Sequence, residues 1–301
     1  DNGNINVGEF QVANAISAKK DIDLHVADGT IKINGSTRTD EGDITVYARD
    51  EDKPDNIVIT QNGKLDSARD LTLHSYNGGI TVTKDTTAQR DLTVIVENEG
   101  NVKFAENVTV SGNIFAYAGK GDMTVGKDLT ADKSIFVETG SGHVNVGAKV
   151  TAKTDSVVVK TGDGNVTVGE DITAGTMVEL SSNAGDITVG DADGGNVKAK
   201  GNIDITTKAG DIEVIKTVIS DDGNVKVTSD YGNVGIGSNG ADVRTVYAKG
   251  DIDVHVTEGV IKVQGKTETS KGNITMDAHN AKDTQNIVIN QDGRLISGQD
   301  L

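Results

Sequence analysis

A glycine followed by Asp, His or Asn opens a short alternating segment at Gly121, Gly142, Gly164 and Gly185, at nearly even intervals along the chain. The glycines that close these segments, Gly126, Gly147, Gly169 and Gly190, keep the same intervals. A repeat of this length belongs to chains that stack one supersecondary unit on the next, and it decides the fold before any single residue is considered.

Each unit has three parts. The first alternates apolar and polar residues, as in Met123-Thr124-Val125, Val144-Asn145-Val146, Val166-Thr167-Val168 and Ile187-Thr188-Val189. At period two, one set of side chains points inward and the other outward. The second part is a short arm, Leu129-Thr130-Ala131, Val150-Thr151-Ala152 and Ile172-Thr173-Ala174. The third alternates again, with Ile135 and Val137, Val157 and Val159, and Val178 and Leu180 as inward pairs. Three strands and three corners therefore make one coil.

One coil buries too little to fold alone. Ordering a residue costs about 1 to 2 kcal/mol of backbone entropy, whereas only the few inward Val, Ile or Leu side chains return about 1.5 to 3 kcal/mol each. Coils must stack, placing like residue on like residue and pairing each strand with its equivalents in parallel sheets. The expected fold is all-β, a right-handed parallel β-helix of about 13 coils of roughly 21 to 27 residues. The hand is a preference drawn from coil length and variable corners. At the usual strand spacing of about 4.8 Å such a stack would run some 60 Å.

Composition agrees. Gly, Asn and Asp at the corners suit sharp bends, and a single Pro among 301 residues spares the ladders a missing donor. Five Tyr, four Phe and no Trp leave no material for an aromatic-centred core. A formal charge of −17 with no basic run disfavours nucleic acid as a partner. The absence of Cys removes disulfides and thiolate metal sites. No apolar run approaches the roughly 18 residues of a membrane span, so no membrane insertion of this segment is expected. The start, Asp1-Asn2-Gly3-Asn4, carries neither an initiator Met nor a signal-type apolar stretch, so a soluble, excised piece is expected.

A longer repeat overlies the short one. Residues 18 to 71 match residues 248 to 301 without a gap at an offset of 230, with about half the positions identical. Asn56-Ile57-Val58-Ile59 corresponds to Asn286-Ile287-Val288-Ile289, and Asp70-Leu71 to Asp300-Leu301. The expected organisation is one continuous segment, 1 to 301, holding a super-repeat of about ten coils and the opening of the next. Uncovered sheet edges invite further pairing, so the expected setting is a longer repetitive parent.

Runs such as Ser17-Ala18-Lys19-Lys20-Asp21-Ile22, Ala248-Lys249-Gly250-Asp251-Ile252 and Gly185-Asp186-Ile187-Thr188-Val189-Gly190 resemble the repeat regions of giant bacterial surface adhesins of the filamentous haemagglutinin type, including leukotoxin-like filamentous adhesins. The resemblance covers the whole chain, and autotransporter passenger domains share its general character. It implies an extracellular or cell-surface β-helix that acts as a structural stalk or filament and projects a binding domain for attachment. The partners it implies are other copies or further repeats of the same protein, end to end or lateral, and a host or bacterial surface ligand.

Several polar groupings are candidate sites. Asp21, Asp23 and His25, repeated as Asp251, Asp253 and His255, alternate with inward residues and share one outward face. A divalent cation is the ligand such residues would take, but an extended strand spreads the outer two about 13 Å apart, so a solvated face is the simpler reading. The loop Asp50-Glu51-Asp52-Lys53-Pro54-Asp55 has the charge for calcium, yet its copy, Asn280-Ala281-Lys282-Asp283-Thr284-Gln285, has lost most carboxylates. No dedicated metal site or cofactor is expected, only weak Ca²⁺ binding from charge.

The alternative function is a carbohydrate-active β-helix enzyme acting on acidic polysaccharide. Such chemistry needs clustered carboxylates walled by long loops, whereas His25, His74, His143, His255 and His279 are scattered and no Ser lies in a nucleophile-elbow motif. No enzyme and no catalytic residue are expected. The more distinctive outward feature is apolar. Phe115, Tyr117, Phe136, Val158 and Met177 fall at outward positions of successive third strands and would align as a contact strip. A repeat that itself binds a partner through this strip is the remaining alternative.

Overall fold

The computed structural model describes residues 3–8, 16–50, 54–191, 193–237, 244–280, 286–289 and 293–299. Among these residues there is no helix. Three parallel sheets form a β-solenoid of about 12-13 turns with three strands per coil. The chain divides into two compact units, Asp1–Gly147 and Ala148–Leu301.

In the first unit, the first sheet runs Ile5–Val7, Ile31–Ile33, Asp55–Ile59, Gly79–Val82, Val102–Phe104, Met123–Val125 and Val144–Val146. The second runs Ile16–Ala18, Ser36–Thr39, Lys64–Ser67, Thr86–Ala88, Val108–Val110 and Leu129–Ala131. The third runs Ile22–Val26, Ile44–Ala48, Leu71–Ser75, Leu92–Glu99, Ile114–Lys120 and Ile135–Ser141. The second unit repeats the plan. Its third sheet, for example, runs Val157–Thr161, Val178–Ser182, Ile203–Ala209, Val225–Tyr231, Ile252–Glu258 and Ile274–Ala278.

The alternation read from the sequence is the alternation of burial. Ile80, Val102, Met123 and Val144 pair in register and are all buried, while Thr81, Lys103, Thr124 and Asn145 between them face out. In the second unit Leu180 lies between Val159 and Ile205, and all three are within 1% of full burial. Aliphatic side chains of one shape stack without voids, which is the close packing that a solenoid interior requires.

Corners pose the harder problem, because the chain must turn without stranding backbone donors. The solution is a ladder of Asp and Asn side chains, each accepting the N–H of the residue one coil further on. Before the first sheet, Asp122 N–H donates to Asn101 Oδ1 at 2.8 Å, and His143 N–H to Asp122 Oδ1 at 2.8 Å. In the second unit, Asp186, Asp211 and Asn233 donate in the same way to Asn165, Asp186 and Asp211, at 2.9, 2.8 and 2.6 Å. Buried hydroxyls serve the inside of the corner: Thr161 and Ser182 both donate to the Gly164 carbonyl at 2.9 Å, and Thr207 and Ser229 donate to Gly185 and Gly210 at 2.9 Å. Gly142 is required twice over. Its φ of 144° suits only glycine, and a Cβ there would collide with the Gly121 carbonyl oxygen of the previous coil.

Asp171 shows the electrostatics of a rung. Burial by itself would raise its carboxyl. Hydrogen bonds from the N–H groups of Asn196 (2.9 Å) and Gly195 (3.0 Å), from the Asn196 side-chain amide (2.9 Å), and the nearby Lys149 charge outweigh burial and hold it below the usual aspartate value. A carboxyl depressed in the folded state contributes stability above its unfolded value, near 3.9, and loses it as pH falls through the folded value.

Leu180→Ala removes a fully buried rung and is expected to lower stability by about 2 to 5 kcal/mol in urea unfolding; an unchanged midpoint would contradict the column. Asp171→Asn keeps an acceptor but loses the charge, so it destabilises near neutral pH by an amount that shrinks below about pH 4. A deficit that stays constant on acidification would show that the Asp171 charge does not stabilise the corner.

Candidate contact surface

The outward face of the third sheet in the first unit is where polar and aromatic side chains gather. Each strand there offers two outward positions. Register places Asp23, Thr45, Thr72, Thr93, Phe115 and Phe136 in one column, and His25, Tyr47, His74, Ile95, Tyr117 and Glu138 in the next. The strands are held flat by their inward partners, such as Val46, Leu73, Val94 and Ala116, which are buried.

Rings on this face contact one another along the columns. His25 stacks on Tyr47 with centroids 4.5 Å apart, and Tyr47 meets His74 edge to face at 4.9 Å. His74 Nε2 lies 2.6 Å from Glu97 Oε1. Phe115 and Phe136 stack nearly parallel at 5.4 Å, with Phe115 40% exposed. Arg49 covers the Tyr76 ring at 4.3 Å just beyond the strand ends. Such contacts each add about 0.5 to 1.5 kcal/mol and fix the rings in place.

At the start of these strands lies another ladder. Asp43, Asp70, Asp91 and Asn113 donate their N–H groups to Asp21, Asp43, Asp70 and Asp91 at 2.9, 3.0, 3.0 and 2.7 Å. Asp21, exposed as are Asp23 and His25, also serves as a rung of this ladder. Asp251 is one too, accepting the Asn273 N–H at 2.9 Å. Asp253 lies in register between Lys226 and Thr275, and His255 Nδ1 sits 3.3 Å from Asp277 Oδ2. Among the described residues no three of His, Asp and Glu converge in a way that would hold a metal ion.

Of the acidic loop, residues 51–53 lie outside the described residues, as do 281–285 of its copy. The Asp50 carbonyl accepts the buried Asn56 side-chain amide, and Asp55 Oδ1 lies 3.4 Å from Thr81 Oγ1. His143 and His279 take part in corner bonding through their backbones.

Phe115, Tyr117 and Phe136 belong to the first-unit face, with Tyr117 in the column beside the two Phe. Val158, in the second unit, has Glu179 as its register partner. Met177 sits one residue ahead of the strand Val178–Ser182, where its carbonyl accepts the Val157 N–H, so it does not continue the Val158 column. Tyr47, His74, Ile95 and the threonines escape a reading of the sequence alone. Their signal is present in Ile44-Thr45-Val46-Tyr47, Leu71-Thr72-Leu73-His74 and Leu92-Thr93-Val94-Ile95, but the longer coil between Ile44 and Leu71 hides the alignment.

The same sheet in the second unit is charged. Glu179, Asp204, Lys226 and Asp253 form one outward column, and Lys160 pairs with Glu179 at 2.7 Å. On the second sheet Glu268 is gripped by Lys266 at 2.8 Å and Arg244 at 3.0 Å. The Lys266 hydrogen bond, opposed by burial and aided by Arg244, holds the Glu268 carboxyl below its usual range. That direction leads away from the near-neutral value a general acid or base uses. Compared with protein-family models, curated proteins and solved structures, the chain gives no significant match to any of them.

Proposed function

We propose that the chain is a stalk or filament segment of a secreted or cell-surface bacterial adhesin, a scaffold whose interior is fixed and whose exterior varies. The observation that carries this reading is how the two copies of the long repeat differ. Inward residues are kept: Ile22, Val26, Ile31, Thr37, Thr39 and Ile44 recur as Ile252, Val256, Ile261, Thr267, Thr269 and Ile274, and all are buried. Outward residues are exchanged at several positions, with Arg38 replaced by Glu268, Tyr47 by Asp277 and Asp66 by Ile296, while Asp21, Asp23, His25, Lys32 and Thr45 recur as Asp251, Asp253, His255, Lys262 and Thr275.

The exchange of Arg38 for Glu268 comes with new partners nearby. Arg38 pairs with Asp40 at 3.3 Å and Asp66 at 3.9 Å, whereas Glu268 pairs with Arg244 and Lys266. A stalk needs only that each coil accept the next. The surface location and attachment role come from the resemblance to filamentous adhesins, and the acidic, cysteine-free composition is compatible with them.

Electron microscopy of the natively isolated parent molecule tests the proposal. Thin unbranched rods are expected, lengthening by about 4.8 Å for each coil. Compact particles with a single deep groove would contradict it.

A further inference from the structure

The outward face of the third sheet in the first unit carries three parallel rows, each repeating once per coil. The first is the carboxylate row Asp21, Asp43, Asp70 and Asp91. The second is the hydroxyl row Thr45, Thr72 and Thr93, and the third the ring and apolar row Tyr47, His74, Ile95 and Tyr117, flanked by Phe115 and Phe136. From these rows we infer that this face binds a linear, uncharged polysaccharide running across the strands, along the direction of coil stacking.

The chemistry of each row matches one feature of a neutral sugar. Apolar ring surface packs on the C–H faces of pyranoses, threonine hydroxyls both donate and accept, and carboxylate oxygens accept sugar hydroxyls. In the ladder each Asp uses Oδ1 for a backbone N–H. At Asp21 and Asp91 the Oδ2 is left to take a hydroxyl, whereas Asp70 Oδ2 lies 3.1 Å from Arg90 and the Asp43 carboxylate lies 3.8 Å from Arg69. A site that repeats at every coil fits a ligand that repeats along its length.

Charge selects against the other occupants. Between Asp23 and Glu138 the two outward columns hold no charged side chain with His neutral, in a chain of net charge −17. Arg69 and Arg90 pair with Asp43 and Asp70, but the border, with Glu97 beside His74, keeps a net negative charge that would repel an anionic glycan or a nucleic acid. The neutrality is not demanded by the fold, since the same sheet in the second unit is studded with Glu179, Asp204, Lys226 and Asp253. Size argues against a second copy of the chain: six strands at about 4.8 Å spacing, each showing about 15 Å of its length, give roughly 430 Å², well short of the about 800 Å² per partner of a stable protein interface.

Particle shape does not bear on this inference, which therefore stands apart from the stalk proposal. Affinity electrophoresis of the whole chain in gels containing hydroxyethyl cellulose, galactomannan or dextran tests it, with polygalacturonate as the anionic control. Retardation by at least one neutral polymer and none by polygalacturonate is expected. Tyr47→Ala and Phe115→Ala should weaken it at least tenfold, and Val158→Ala in the second unit should not. Thr72→Lys, which changes only an outward position, serves as a further variant, with circular dichroism confirming the fold of each. The inference is overturned if none of the three neutral polymers retards the chain, if polygalacturonate retards it equally, or if the variants bind as the parent does. It is also overturned if sedimentation shows that the same substitutions abolish a dimer instead.

Discussion

Everything in this molecule depends on one coil presenting to the next the same residues in the same order. In-register parallel pairing supplies the backbone hydrogen bonds of each strand from its two neighbours, so the strands of one coil depend on the coils beside it. The same register sets Val on Ile and Leu on Val within the interior, which is why Leu180 finds Val159 and Ile205 at its faces. Stability and register are therefore one property. A slip by a single residue would turn every inward side chain out.

Corners follow from that constraint. A bend breaks the ladder, and an unpaired buried N–H costs about as much as a lost hydrogen bond. Asp and Asn answer because their side chains are short enough to accept the N–H one coil away and charged or polar enough to tolerate the surface. The rungs Asn101 to Asp122 and Asp21 to Asp43 to Asp70 to Asp91 are the result. Part of the acidity that a sequence reader attributes to surface or calcium chemistry is thus a structural element of the turns.

The fold is legible in the sequence because its signal is periodic. Met123-Thr124-Val125, Leu129-Thr130-Ala131 and Ile135 with Val137 repeat closely enough that strand, arm and strand can be read by eye, and each is a strand. The surface is only partly legible. Phe115 and Phe136 stand out because one short, regular coil separates them, whereas the longer coil between Tyr47 and His74 breaks the count. Met177 lies two positions before Glu179, the residue that continues the Val158 column, since a corner offers no alternation to count. Asp21 is exposed as its place in the sequence suggests, but its role as a rung is hidden, because ladder bonding involves the next coil and leaves no local pattern.

Function rests on the same stacking. Nitroxide spin labels on outward threonines of the second sheet test this most directly. Thr87, Thr109 and Thr130 are register partners in successive coils. Labels at positions 109 and 130, about 4.8 Å apart along the stack, should show strong spin exchange, and labels at 87 and 130, about 10 Å apart, only dipolar broadening. Uncoupled spectra from the 109 and 130 pair would contradict the stacked register and everything argued from it.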